Sequence, residues 1–247
     1  MRYFFEIKYD GSNYHGWQFQ PNAISVQEVI ETNLSKVFRK KASIIGCGRT
    51  DTGVHASQYF FHFEVADALP KDFGYKMNGM FPKDISITKI HNVGEKAHAR
   101  FDATRREYTY KLCLQKDPFE VKRSWILPHY KLDVEAMQQA AADIKKHNDF
   151  PNLCKAGSDV KNHICQIFNS ELIYYSNENR LVYEVAANRF LRNMIRRIVG
   201  LLVQIGKQQL TLTDFNECLS TKQPFKYITL APPEGLYLSK IEYPYIQ

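Results

Sequence analysis

The sequence predicts an α/β fold of the α+β kind: two similar halves in series, sharing a mostly antiparallel mixed sheet with flanking helices. Two observations carry this prediction. Each half reads as a split β-α-β pattern, with period-two apolar runs broken by helix-period stripes. The second pattern starts near residue 104 with no long flexible linker before it, so residues 1–104 and 105–247 are expected to form RRM-like, ferredoxin-like halves of one continuous sheet.

The elements follow in order. Tyr3, Phe5, Ile7 and Tyr9 alternate as a strand, and a loop over 11–21 then carries Tyr14, His15, Trp17 and Gln18. Ser25 and Glu28 make a capping box, and Val26, Val29, Ile30, Leu34, Val37 and Phe38 mark the buried stripe of a helix. Strands over 42–47 and 58–65, a helix over 71–80 and a strand over 85–90 complete a β-α-β-β-α-β order. In the second half a strand over 107–114 alternates Tyr108, Tyr110, Leu112 and Leu114. Asp133 caps a helix that buries Val134, Met137, Ala141 and Ile144. Strands over 164–175 and 181–187 pair as a hairpin across 176–180. A long helix over 190–205, a short one over 214–219 and a strand over 236–241 finish the chain.

Composition narrows the classes of function. With 44% hydrophobic and 24% charged residues the 247-residue chain suits a soluble globular protein, and its net charge of +7 favours an anionic partner, most commonly RNA or DNA. Cys47, Cys113, Cys154, Cys165 and Cys218 are odd in number and form no C-x-x-C pair, which favours reduced thiols in the cytoplasm. His147, Cys154, His163 and Cys165 match no common zinc spacing, so no metal is expected. Residues 1–10 lack a signal-peptide core, and no apolar run is long enough to span a bilayer.

The most informative stretch is Gly48-Arg49-Thr50-Asp51-Thr52-Gly53-Val54-His55-Ala56, between two expected strands. One carboxylate, Asp51, lies between Arg49 and His55, with glycines that free the backbone on either side. Such a loop can hold Asp51 in a fixed pose at a sheet edge, although Asp and Gly also serve as ordinary turn formers. A second feature is the helix expected from Phe190. At about 100° per residue, Arg189, Arg192 and Arg196 fall within roughly 60° of one another, with Arg197 on the flank. No Asp or Glu occurs over 185–213, so these arginines need partners from elsewhere, a phosphate backbone or a carboxylate such as Asp51. A third is Arg100, Arg105 and Arg106 leading into the strand of Tyr108 and Tyr110, where arginines would grip phosphate and a tyrosine would stack on an unpaired base. Tyr110, nearer the apolar run, reads as core. No G-x-S-x-G elbow, P-loop or H-E-x-x-H occurs, and Asp51 stands where a dinucleotide fingerprint would need its third glycine.

Asp10-Gly11, Gly16-Trp17-Gln18, the 48–56 loop, His98-Ala99-Arg100-Phe101, Tyr108-Thr109-Tyr110, residues 194–200 and Ala231-Pro232-Pro233-Glu234-Gly235-Leu236-Tyr237 closely resemble the tRNA pseudouridine synthase A family, in the family's order. The chain departs from the family pattern at Thr52 and over 78–82, where Phe81 precedes Pro82 in place of the family's usual leucine. The resemblance implies a pseudouridine synthase fold and a cofactor-free isomerase that converts uridine to pseudouridine at positions 38, 39 and 40 of the tRNA anticodon stem-loop. It also implies a homodimer. By family position Asp51 is the catalytic carboxylate, Arg196 the cation that keeps it ionised, and Tyr108 the ring that stacks on the uracil. Arg49 is the residue expected to help extrude the base, while Arg100, Arg105, Arg106, Arg189, Arg192 and Arg197 are expected to meet the RNA. Alternatives are a paralogue acting on other tRNA uridines, a non-catalytic RRM-like RNA-binding protein suggested by the aromatic run over 58–63, and a metal-dependent nuclease, which would need clustered carboxylates.

Overall fold

Alternation of Tyr3, Phe5, Ile7 and Tyr9 with Phe4, Glu6 and Lys8 gives the first strand two different faces, and both are used. The computed structural model describes residues 1–246 apart from 129, 156 and 158–160. Its strands are β1 (Arg2–Tyr9), β2 (Ile45–Gly46), β3 (His55–Glu64), β4 (Ile85–Val93), β5 (Arg105–Cys113), β6 (Trp125–Ile126), β7 (Ile167–Tyr175), β8 (Arg180–Ala187) and β9 (Leu236–Glu242). Its α-helices are α1 (Val26–Phe38), α2 (Phe73–Met80), α3 (Val134–Asp143), α4 (Met194–Gly206) and α5 (Leu212–Thr221). The chain divides into one unit of Met1–Arg105 with the residues from Tyr237 onward, and a second of Arg106–Leu236.

In the first unit β1 lies between β4 and β3, antiparallel to both. The far edge of β3 is shared: β2 pairs antiparallel with Phe61 and His62, and β9 pairs in parallel with His55 and Ala56. One face of this sheet meets the helices. Phe5 stacks on Phe61 at 4.8 Å and meets Phe73 of α2 at 6.1 Å, while Phe38 of α1 packs on Phe63 at 5.2 Å. Ser25 caps α1 by accepting the Glu28 N–H, and Val26, Ile30 and Leu34 are buried as the stripe predicts. Val37, expected on the same stripe, is instead exposed in the last turn of α1. The opposite face is closed by the segment after β9. Tyr243 packs edge-on against Phe4 at 5.2 Å and Phe60 at 5.1 Å.

In the second unit β8 pairs antiparallel with β5 and β7, and β6 adds a short parallel pair to β5. The β7–β8 hairpin turns through a 3-10 turn, Ser176–Glu178, and Asn179 in the left-handed region. Asp133 caps α3 by accepting the Ala136 N–H, and α3 packs on β7 and α4. Every residue of α4 is buried except Arg196 and Arg197. A helix apolar around most of its circumference belongs inside a unit.

The structure corrects the reading in several places. The helix expected from Phe190 begins at Met194, because Asn193 takes a left-handed conformation (φ 63°) that closes a turn before the helix. Arg189 and Arg192 therefore lie on that turn and share no helix face with Arg196. The expected strand over 42–47 shrinks to the two residues of β2, and β3 starts at His55, inside the stretch read as loop. The strand pair of β6 was not foreseen.

Candidate active site

Several backbone hydrogen bonds hold the Asp51 loop. Trp17 N–H donates to the Thr50 carbonyl at 3.2 Å, Gly53 N–H donates to the Tyr14 carbonyl at 3.3 Å, and Val54 N–H closes a turn onto the Asp51 carbonyl at 3.1 Å. The Tyr9 phenol and the Thr50 hydroxyl share a buried hydrogen bond of 2.9 Å, and the Tyr59 phenol donates to the Gly48 carbonyl at 2.6 Å. Residues on both sides of Asp51 are thus fixed to the 9–17 segment. Gly16 permits this approach: it has φ +84°, and a Cβ there would stand 2.3 Å from the Thr50 carbonyl oxygen. Asp51 is half-buried, Thr50 is buried, and Arg49 carries its guanidinium into solvent with no partner among the described residues.

The clamping segment has its own anchor. The Tyr14 phenol donates to Asp84 Oδ1 at 2.5 Å, Asn13 Nδ2 to Asp84 Oδ2 at 3.1 Å, and Asp10 N–H to the Asp84 carbonyl at 2.9 Å. Burial, and then the bond to Asp84, push the Tyr14 phenol well above its ordinary value. Trp17 stacks on Tyr59 at 4.0 Å and secures the other end. Asp84 was missed from the sequence, where only its place just before a strand marked it.

His55 is structural. It is 2% exposed, and its ring stacks on Tyr237 of β9 at 4.6 Å. Nδ1 is 3.0 Å from the Gly11 nitrogen and 3.1 Å from an Asp10 oxygen, and it cannot accept from one and donate to the other. The Gly11 N–H can only donate, so the assignment that satisfies this buried group leaves a lone pair on Nδ1 and the hydrogen on Nε2.

In the second unit Tyr108 is half-buried and meets Phe190 edge-on at 5.3 Å. Tyr110 points into the core: it is fully buried, and its phenol donates to the Pro232 carbonyl at 2.8 Å. Burial raises its pKa far above the ordinary value, with Glu234 adding to the rise and Arg196 opposing it. Arg196 donates from Nε to the Ala231 carbonyl at 2.7 Å, and the Ala231 N–H returns a bond to the Arg196 carbonyl at 3.1 Å. This pair ties both the side chain and the backbone of Arg196 to Ala231. It also lays the 229–235 segment on α4, where Gly200 admits the Thr229 carbonyl into a space that any side chain would fill.

The other arginines are spread over both units. Arg189 reaches Asn162 Oδ1 at 3.2 Å on the surface, Arg192 is exposed, and Arg197 approaches the Asn152 carbonyl at 3.5 Å. Arg106 donates to the Asn188 carbonyl at 3.0 Å, tying β5 to the turn before α4. Arg105 is half-buried, and Arg100 is exposed beside Phe101. Among the described residues no three His, Cys, Asp or Glu side chains gather as a metal site. Among the described residues no helix is long and apolar enough to cross a membrane.

These features define an α+β protein with a single carboxylate presented on a loop fixed through its backbone, and with a second unit rich in arginine beside a tyrosine strand. The chain belongs to the tRNA pseudouridine synthase family, whose members are isomerases: the family profile matches residues 7–102 and 140–244. It is 41% identical over 247 residues to the tRNA pseudouridine synthase A of Bacteroides fragilis, covering 99% of this chain and 97% of that protein. It is also 41% identical to the protein of that name from Bacteroides thetaiotaomicron, over 99% of this chain and 91% of the relative. A Thermoanaerobacter relative of the same name is 36% identical over 96% of this chain and 97% of its own.

Proposed function

We propose that this protein isomerises uridine to pseudouridine in tRNA, at positions 38, 39 and 40 of the anticodon stem-loop, as a cytoplasmic homodimer that needs neither cofactor nor metal. Family membership over nearly the whole chain supports tRNA as substrate. The observation that carries the catalytic reading is the pinning of Asp51 between Thr50 and Gly53, whose backbone groups are bonded to Trp17 and Tyr14. A carboxylate that attacks one sugar carbon must be held close to its reactive geometry, and a backbone-fixed loop does this without help from the substrate.

The reaction is balanced within the nucleotide. The bond from N1 to C1′ breaks, the uracil turns, C5 bonds to C1′, and the proton on C5 is lost while N1 gains one. No electron or group is exchanged, so amino-acid side chains suffice. Asp51 acts as nucleophile on the sugar or as base at C2′. Arg196 supplies the charge that favours its ionised form, and Tyr108 stacks on the uracil. Arg49 assists extrusion of the base, since a paired base cannot be reached in its stack. Arg100, Arg105, Arg106, Arg189, Arg192 and Arg197 meet the phosphates.

The alternatives fare worse. An RRM-like binder needs exposed aromatics on its sheet, but Tyr59, Phe60, Phe61 and Phe63 are all buried, and Tyr243 covers Phe60. A metal-dependent nuclease needs clustered donors, which the described residues do not assemble. Incubation with tRNA tritiated at C5 of uridine tests the reading. Release of tritium with no strand cleavage is expected, and binding without release would overturn it.

A further inference from the structure

Phe101 is 74% exposed, yet it sits at the tip of a tightly determined turn. The His98 ring accepts the Arg100 N–H at 3.1 Å and the Phe101 N–H at 3.3 Å through Nδ1. His62 Nδ1 accepts the Ala99 N–H at 3.1 Å from the sheet beneath. Asp102 Oδ2 accepts the His98 N–H at 2.8 Å and the Tyr245 phenol at 2.8 Å, while the Tyr243 phenol donates to the Ala99 carbonyl at 2.5 Å. Burial, with Arg2 and His98 adding to it, lowers the His62 pKa to about 4, so this acceptor stays neutral near neutral pH.

The ring so displayed is also flanked. His98 packs against one side at 4.3 Å with planes 31° apart, and the Arg100 guanidinium lies 5.7 Å from its centroid. Tyr75 and Phe119 are more exposed, but no ring or guanidinium among the described residues packs on them. A flat apolar face costs free energy in water, and fixing one beside an arginine suits a ligand that is both flat and anionic. An unpaired nucleotide is such a ligand, because its base stacks and its phosphate meets the cation.

We propose that Phe101 is a stacking platform for an unpaired base of the tRNA, with His62 and His98 as the positioning residues that hold its turn. The proposal rests on tRNA being the substrate and adds a contact that the catalytic residues do not provide. Phe101→Ala, Phe101→Trp and wild type are compared for tRNA binding on filters, for KM and kcat in tritium release, and for sedimentation. Phe101→Ala is expected to raise Kd and KM about 5- to 140-fold, the range that base–aromatic stacking spans at tenfold per 1.4 kcal/mol, with kcat little changed. Phe101→Trp is expected to restore binding. Wild-type Kd and KM in Phe101→Ala, or failure of Trp to rescue, overturns the platform. A change in sedimentation of Phe101→Ala overturns it too, since the ring would then pack between two copies of the chain. A wild type that binds tRNA but releases no tritium sinks the isomerase reading instead, and the filter binding still decides the platform.

Discussion

The Asp51 loop and the turn before α4 both carry charge on irregular backbone, yet they are held in opposite ways. In the loop, backbone bonds from Trp17 and Tyr14 fix both sides of the carboxylate, and Gly16 lets the two chain segments touch. In the turn, the backbone is fixed by Asn193 and by a bond from Lys155 N–H to the Arg192 carbonyl, but the arginine side chains are loose. Arg189 has one surface bond, and Arg192 projects into water. The difference matches the work proposed for each region. A carboxylate that must reach one atom needs a fixed direction, whereas cations that neutralise a phosphate backbone need only be near it.

Several changes would break or sharpen that contrast. The largest effect belongs to Asp51→Asn, which keeps the loop and removes the charge. Turnover should fall to background while tRNA affinity is retained, as read by tritium release and filter binding with deamidation excluded by mass. Gly16→Ala should come next. It leaves every proposed catalytic side chain in place but forces a Cβ into the Thr50 carbonyl at positive φ, so kcat should drop about 100-fold. Wild-type kcat in that variant would show that the pinning does not matter.

Arg196→Gln tests the charge rather than the scaffold. It should lower kcat and leave the log–log salt slope of tRNA binding nearly unchanged, because a cation held for the reaction releases no counterions when RNA arrives. A flattened slope with wild-type kcat would assign Arg196 to the RNA instead. His62 gives a smaller effect, on stability. Its folded pKa of about 4 lies below the ordinary 6.5, so the unfolded chain binds more protons between those values. The associated stability is complete above pH 6.5 and is lost as pH falls towards 4, by up to ~3 kcal/mol. Denaturant melts of wild type and His62→Asn across that range should converge at the acid end. The smallest effects should come from Arg189→Gln and Arg192→Gln, each flattening the log–log salt dependence of tRNA binding by roughly 0.7–0.9 with kcat unchanged. A kcat effect from either would mean that the turn is as directional as the loop.

What the sequence disclosed depended on how local the cause was. The caps Ser25 and Asp133 lie beside the helices they start, and the β7–β8 hairpin is one turn between alternating runs, so all were legible. The start of α4 was not. Phe190 and Leu191 continue the apolar period of Met194 and Ile195, and the break at Asn193 has no glycine or proline to announce it. The edge of β3 was hidden for another reason, since its first pair, His55 with Tyr237, joins residues far apart in the chain. Asp51 stood out by its neighbours in sequence. The Tyr14–Asp84 anchor that steadies its clamp arises only once β4 has brought Asp84 to the 10–14 segment.

The late arrival of β9 has a consequence for synthesis. His55, at the edge next to the Asp51 loop, gains its β9 partner only when Tyr237 and Leu238 are present, and the Phe4–Phe60 face stays uncovered until Tyr243 has been added. Translation runs from the amino end, so the ribosome must finish the whole second unit before the first can be closed. Throughout that interval the nascent chain shows an open strand edge and an apolar sheet face, the kind of surface that chaperones hold. The order in which this protein is made therefore keeps the unit that bears the Asp51 loop incomplete until the other unit has already been built.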